Sequence, residues 1–258
     1  MRFGILGPVE VTERGDDLTP RAHKIRVLLA VLLVSGNRVV SADRLVGELW
    51  GEHPPRTALQ ALRVYVSQLR QMLAVHSETE QAPRVETCPP GYRLTVAPGD
   101  VDVVEFERLS DQGRRNMDRH LYDAAADDMR EALALWRGPA LMDVRTSQTL
   151  EAAAQRLEEV RIATLNRCID VDIRLGRNED AVAELRQLIT IYPFHEGLHA
   201  RLMIALWRSG RTSDALTVYR GLRQSLIEEL GVEPNQQLQT VHRAVLSADH
   251  LVLDRHAL

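Results

Sequence analysis

Lysine is almost missing from this chain: of its 32 basic residues only Lys24 is a lysine, and the others are arginines. That bias fits a GC-rich genome, where arginine codons dominate. Aromatics make up only 4% of the sequence, so the cores must be built from Leu, Val, Ile and Ala, which suits helices. The two cysteines, Cys88 and Cys168, are 80 positions apart. They form no CxxC pair, zinc finger or disulfide framework, and their usage points to a reducing cytosol. The longest uninterrupted apolar run, Val27 to Val34, has eight residues, against the roughly 20 that span a bilayer. The opening segment MRFGILGPVEV lacks the long apolar stretch of a signal peptide. No membrane partner is expected. No GxxxxGK[ST] phosphate cradle or GxSxG stands in the sequence, and no cofactor is expected.

The charge that is present is unevenly spread. Residues 1–96 hold 12 basic and 10 acidic side chains, and residues 97–258 hold 20 and 26. The N-terminal part is where an anionic partner would be tolerated, while the overall charge of −4 argues against non-specific coating of DNA. A length of 258 residues suggests one large or two ordinary domains. The short linker Val96–Asp100 divides a mixed segment, 1–96, from a helical one, 97–248, followed by a tail, 249–258. The linker is too short for a floppy tether.

The spacing predicts a strand or hairpin over Arg2–Thr12, broken at Gly7-Pro8, and a turn at Gly15-Asp16-Asp17. A helix over Arg21–Ser35 stops at Gly36-Asn37, and Ser41 caps a short helix ending at Trp50. A third helix runs from about Pro55 to Leu73, with Pro55 near its first position. Leu62, Val66, Leu69 and Leu73 form its apolar face. Arg56, Gln60, Arg63, Ser67, Gln68 and Arg70 lie opposite, and Arg and Gln are the usual readers of guanine and adenine. Two β-forming runs around Pro89-Pro90-Gly91 read as a hairpin. The polar run at 76–83 is the loop before it. A polar helix face followed by a hairpin is the plan of a winged helix-turn-helix.

Beyond the linker, helices are expected at about Val103–Asn116, Arg119–Trp136, Gln148–Leu175, Asn178–Ile191, Gly197–Arg208, Ser213–Glu229 and Gln236–Ala248. GRNEDAV at Gly176 recurs as GRTSDAL at Gly210, 34 residues on, the tetratricopeptide period. Ala181 and Ala215 fall where paired helices must approach closely. YDAAADD at Tyr122 is similar, a degenerate third copy. Such arrays are scaffolds for protein contacts.

HEGLH at His195–His199 matches the zinc-binding HExxH pattern, with Glu196 as general base. Pro193 places His195 at the ragged start of a helix, and Leu202 and Ala205 stand where the longer zinc-protease motif needs Gly and His. His195, Glu196 and His199 are therefore expected at the surface, with no metal bound and no catalytic residue assigned.

LRVYVSQLRQML followed by PPGYRL resembles the DNA-binding domain of OmpR-type transcription factors. More closely it resembles that of the SARP family, pathway-specific activators of antibiotic biosynthesis in actinomycetes. ILGPVEV at Ile5, RAHKIRVLLAVLLV at Arg21 and ALALWRGPALMDV at Ala132 agree, the last resembling the start of the bacterial transcriptional activation domain. The resemblance covers about residues 1–247. It implies a mainly α fold: an N-terminal winged helix with small β-sheets, then an all-α tetratricopeptide-like domain.

Aligned with the OmpR-type pattern, Arg63, Val64, Ser67 and Gln68 face the major groove, and Arg56, Tyr65 and Arg70 meet phosphates. Arg93 belongs to the wing. Cys88 stands where many OmpR-type proteins carry an arginine that enters the minor groove, and Arg84 or Arg93 is the expected substitute. The loop Trp50, Gly51, Glu52 and His53 is the candidate contact with RNA polymerase. The resemblance implies a DNA-binding activator, not an enzyme, on promoter direct repeats, with side-by-side protomers and recruitment of RNA polymerase holoenzyme. Two alternatives stay open: a regulator sensing a small molecule in its helical domain, and a zinc hydrolase at His195, Glu196 and His199.

Overall fold

The computed structural model describes residues 1–74 and 82–249, together with 251 and 253. The loop at 76–83 and the tail 249–258 lie largely outside these. The chain is mainly helical and separates into two compact units. Among the described residues no helix is long and apolar enough to cross a membrane.

The first unit comprises residues 1–111 and 131–162. It opens with an antiparallel sheet of β1 (Arg2–Gly4), β2 (Glu10–Glu13) and β3 (Asp16–Asp17). Phe3 pairs with Val11, and Thr12 with Asp17. The turn falls on Arg14-Gly15, both with positive φ, so Asp16 and Asp17, read from sequence as turn residues, are strand instead. Three helices follow: α1 (His23–Val34), α2 (Ala42–Trp50) and α3 (Ala58–Ala74), packed pairwise on one another. The apolar run of α1 is buried from Val27 through Leu33. The helix stops where Gly36 and Asn37 turn left-handed. The Asn37 side chain then holds Val96 by both its N–H and its carbonyl, at 3.0 Å each. Ser41 Oγ caps α2 by accepting the Arg44 N–H at 3.3 Å.

A second sheet has the order β4 (Val40–Ser41), β6 (Gly91–Thr95), β5 (Arg84–Cys88). The β5–β6 hairpin is the wing, and the strand leading into α2 is its third member. Gly91 is required there, because any Cβ would collide with the Val40 carbonyl. Pro55 lies three residues before α3 rather than inside it; its carbonyl accepts the Ala58 N–H at 2.9 Å.

One apolar core runs through this unit. Phe3, Leu28, Leu62 and Leu94 share it with Phe106, Leu109, Trp136 and Leu141. The backbone is joined as well: Arg137 donates its N–H to the Leu6 carbonyl at 2.8 Å and Leu141 to that of Ile5 at 3.0 Å. Residues 1–96 therefore share one core with later residues of the unit. The apolar side chains that complete it come from α4 (Asp102–Asp118) and from residues after α5 (Tyr122–Ala134).

The second unit, 112–130 and 163–258, holds the ends of α4 and α6 (Gln148–Arg174), most of α5, then α7 (Asn178–Ile191), α8 (Glu196–Arg208), α9 (Thr212–Ser225) and α10 (Gln236–Ser247). The 34-residue repeat has a backbone cause. Gly176 and Gly210 are left-handed at φ 77° and 76°. Behind them Arg177 donates to Asp172 O at 2.9 Å and Arg211 to Leu206 O at 2.8 Å, the six-to-one bond that closes a helix. His120 makes the same stop at φ 60°, with Leu121 donating to Asn116 O at 2.9 Å. The helix expected over Arg119–Trp136 therefore begins only at Tyr122. Ala125, Ala181 and Ala215, each five residues beyond its stop, are buried. The helix expected over Ser213–Glu229 changes at Ser225 into a π-helical turn, Leu226–Leu230.

Candidate nucleic-acid interface

The amphipathic spacing of α3 sorts its side chains cleanly. Leu62, Val66, Leu69 and Leu73 are buried, while Arg56, Gln60, Arg63, Val64, Ser67, Gln68 and Arg70 are exposed. Among the described residues nothing hydrogen-bonds or pairs with the side chains of Arg56, Gln60, Arg63, Ser67 or Gln68. Their donors and acceptors face solvent, as an edge-reading surface requires. Val64 is 48% exposed and Leu59 51%, so two apolar side chains sit on this otherwise polar face. Leu59 escaped the sequence reading because one leucine out of register with the apolar stripe carries no periodic signal. It lines a cleft of about 280 Å³ with Arg63, Thr87 and Tyr92, between α3 and the wing.

Arg70 is held. Its Nε donates to the Val85 carbonyl at 2.8 Å and its Nη2 to Thr87 Oγ1 at 2.7 Å, fixing the wing to α3. Tyr65 is half-buried and stacks on Trp50, with ring centroids 6.0 Å apart and 18° between planes. The Lys24 ammonium lies 5.2 Å from the centroid of the Trp50 ring and donates to the Leu49 carbonyl. It thereby places a cation at the C-terminal end of α2, where the helix dipole favours one. Trp50 is thus the packed base of its loop, and Gly51, Glu52 and His53 are exposed.

On the wing, Arg84 and Arg93 converge on Glu86. Arg84 Nε is 2.7 Å from one carboxylate oxygen and Arg93 Nη2 is 2.5 Å from the other. The hydrogen bonds from Arg84 and then Arg93 hold the Glu86 carboxyl far below its usual range, at about 2. The two arginines expected to replace a missing wing-tip cation are thus already paired with an anion. Cys88 sits at the end of β5, opposite Gly91.

The HExxH residues are spent on structure. His195 Nδ1 caps α8 by accepting the Leu198 N–H at 3.3 Å, and Glu196 accepts the Asn235 N–H at 2.6 Å. His199, expected at the surface, is only 8% exposed, because the first turn of α8 packs its inner side against neighbouring helices. Among the described residues no group of three His, Cys, Asp or Glu side chains is placed to hold a metal ion.

Comparison with known proteins agrees with this architecture. The family described as "Transcriptional regulatory protein, C terminal" matches residues 17–94, and the "Bacterial transcriptional activator domain" matches residues 101–246. The regulatory protein DnrI of Streptomyces peucetius is 41% identical over 253 residues, 96% of this chain and 93% of its own length. The transcriptional regulator RedD of Streptomyces coelicolor is 36% identical over 96% of this chain and 71% of its own. AfsR from the same organism is also 36% identical, but the match covers only 24% of that longer protein. The solved structure of Mycobacterium tuberculosis EmbR, in complex with a low-affinity phosphopeptide, superimposes with a TM-score of 0.93 at 32% identity. It covers 99% of this chain and 67% of the other. The chain belongs to the SARP family of transcriptional regulators. It is a DNA-binding activator, and the family's members are regulators, not enzymes.

Proposed function

We propose that this activator reads double-stranded promoter DNA through α3 and the wing, with two protomers side by side on direct repeats. The observation that carries the reading is the row of exposed side chains Arg56, Gln60, Arg63, Ser67 and Gln68 beside the hairpin, unpartnered among the described residues. Arg63 and Gln68 contact base edges, Val64 a thymine methyl, and Arg56 phosphate. Arg70 and Tyr65 act partly through the wing and Trp50 contacts that hold them. Residues 1–96 form the DNA-binding part and 97–248 the activation part. The exposed Gly51, Glu52 and His53 meet RNA polymerase holoenzyme, with Trp50 fixing the loop's base. The target is a secondary-metabolite gene cluster, and the site of action is the nucleoid in the cytoplasm.

Direct repeats place both protomers on one face of the duplex, a head-to-tail arrangement. Footprinting on repeats with about five extra base pairs, roughly half a helical turn, should show loss of cooperative binding, while a full-turn insertion hurts less. In run-off transcription, Glu52→Ala with His53→Ala should lower activation without changing the footprint. Equal binding at every spacing, or full activation by the loop variant, would refute the corresponding part.

A further inference from the structure

We propose that a groove bounded by α8, α9 and the end of α7 in the helical unit binds a small ring compound, neutral or cationic, that donates a hydroxyl or N–H hydrogen bond to His199. The proposal does not rest on the DNA-contact reading, and its test involves no DNA.

The groove has a volume of about 420 Å³, within the roughly 300–1,000 Å³ of small-molecule sites. Phe194, Val218 and Leu222 give it apolar walls. His199 stands among the lining residues although it is 92% buried. Its Nε2 lies 2.9 Å from the Pro193 carbonyl. A carbonyl oxygen only accepts, so Nε2 carries the ring proton and Nδ1 is a bare acceptor. Among the described residues Nδ1 has no hydrogen-bond partner, and it is itself covered from solvent. Burial also pushes the imidazole pKa down, which keeps the ring neutral. Buried acceptors are nearly always satisfied, and an orphan calls for an explanation. Here that explanation is a ligand donor, which reaches Nδ1 when an apolar ring enters and eases the wall aside.

The other polar groups on the rim are one carboxylate and two hydroxyls, those of Glu229, Thr217 and Ser225. The Thr217 hydroxyl spends its proton on the Ser213 carbonyl at 2.9 Å and accepts from Arg220 Nη2 at 3.1 Å. Among the described lining residues there is no Lys or Arg, and Glu229 puts a negative charge on the rim, which favours a neutral or cationic molecule that can donate to His199 over an anion. Two backbone features agree. Glu229 belongs to the π-helical turn Leu226–Leu230, a rare conformation found disproportionately at functional sites. Gly221, in mid-helix on the groove wall, leaves space where a side chain would otherwise project: a Cβ built there meets nothing within 4 Å.

The probes are 2-naphthol, its methyl ether and 2-naphthoate, added to the full-length protein with isotope-labelled histidine and followed by NMR. 2-Naphthol should bind saturably and move the Nδ1 resonance of His199. The ether, which has the same ring but no donor, should bind several-fold to about tenfold more weakly, and 2-naphthoate weaker still. Gly221→Leu, which projects a side chain from a position where a Cβ meets nothing within 4 Å, should abolish binding while leaving the thermal transition intact. His199→Phe should remove the preference for naphthol over ether. No saturable 2-naphthol binding, equal affinity for alcohol and ether, tighter binding of the carboxylate, or binding undisturbed in Gly221→Leu would each overturn the proposal.

Discussion

Asp102 anchors Ile5. Both oxygens of the Asp102 carboxylate lie 2.9 Å from the Ile5 N–H, and one also takes the Leu6 N–H at 3.0 Å. A side chain beyond the linker thus satisfies the backbone of the first strand's exit. Asp102→Ala should lower stability by about 1–3 kcal/mol by leaving two backbone donors without partners, measured by urea denaturation. A fragment of residues 1–96 also loses Phe106, Trp136 and Leu141 from its core. It should melt broadly or precipitate. A sharp transition and dispersed amide spectrum from that fragment would show the shared core to be dispensable.

Glu86 holds Arg84 and Arg93, so removing its charge should raise the net positive charge of the wing. Glu86→Gln is expected to tighten DNA binding at low salt and to steepen its salt dependence by roughly one to two units of slope. The carboxyl itself should titrate at about 2 in an NMR pH series. Because this folded-state value lies below the usual one, the pairing stabilises the wing above pH 4.5 and is lost as pH falls from there toward 2. Titration near 4.5 in the intact protein would mean that the two guanidinium contacts do not form.

Arg63→Ala and Gln68→Ala should each cost on the order of 1–3 kcal/mol of specific binding and relax base preference at one position. Arg70→Ala should behave differently. It should weaken binding to all sequences alike, because it frees the wing from α3 rather than deleting a base contact. Faster hydrogen exchange at Val85–Thr87 in that variant distinguishes the two effects. An Arg70→Ala protein with an unchanged wing and altered base preference would reverse the assignment.

His199 makes the helical unit sensitive to acid. Burial is the main reason its pKa lies below the ordinary 6.5. The unfolded chain therefore binds a proton first, so stability is full above pH 6.5 and falls as pH drops through and below that value. His242, also pushed down by burial, acts in the same sense. The melting temperature should decline between pH 6.5 and 5, and His199→Phe should flatten part of that decline. A profile identical to wild type would mean that His199 is accessible to protons in the folded state.

Periodicity was a good guide wherever one face of an element meets a core. The stripe Leu62, Val66, Leu69, Leu73 and the boundaries of α7 follow from spacing alone. The repeat was legible because Gly176 and Gly210 are glycines at left-handed positions. His120 performs the same stop with a side chain that carries no such signal, so the second of the two helices read there was started at Arg119 instead of Tyr122. The candidate site was legible as a list of residues that turn out to be exposed on α3, but not as a network. Nothing in RVETCPPGYRL says that Glu86 takes both arginines, or that Arg70 reaches across to Val85, because such pairs are set by strand register. The His199 burial was missed for a related reason: HEGLH looks polar, yet an imidazole one turn into a helix points inward if the helix packs that way.

The scarcity of lysine has a consequence for covalent modification. An arginine guanidinium keeps its charge at every physiological pH and is not a substrate for lysine acetylation. The cations on the α3 face and the wing, Arg56, Arg63, Arg70, Arg84 and Arg93, therefore cannot be discharged by that modification. The single ε-amino group of the chain, on Lys24, lies against Trp50 and the end of α2. Acetylation of a lysine side chain in this protein would therefore act at the base of the Gly51–His53 loop and leave the arginine surface electrically unchanged.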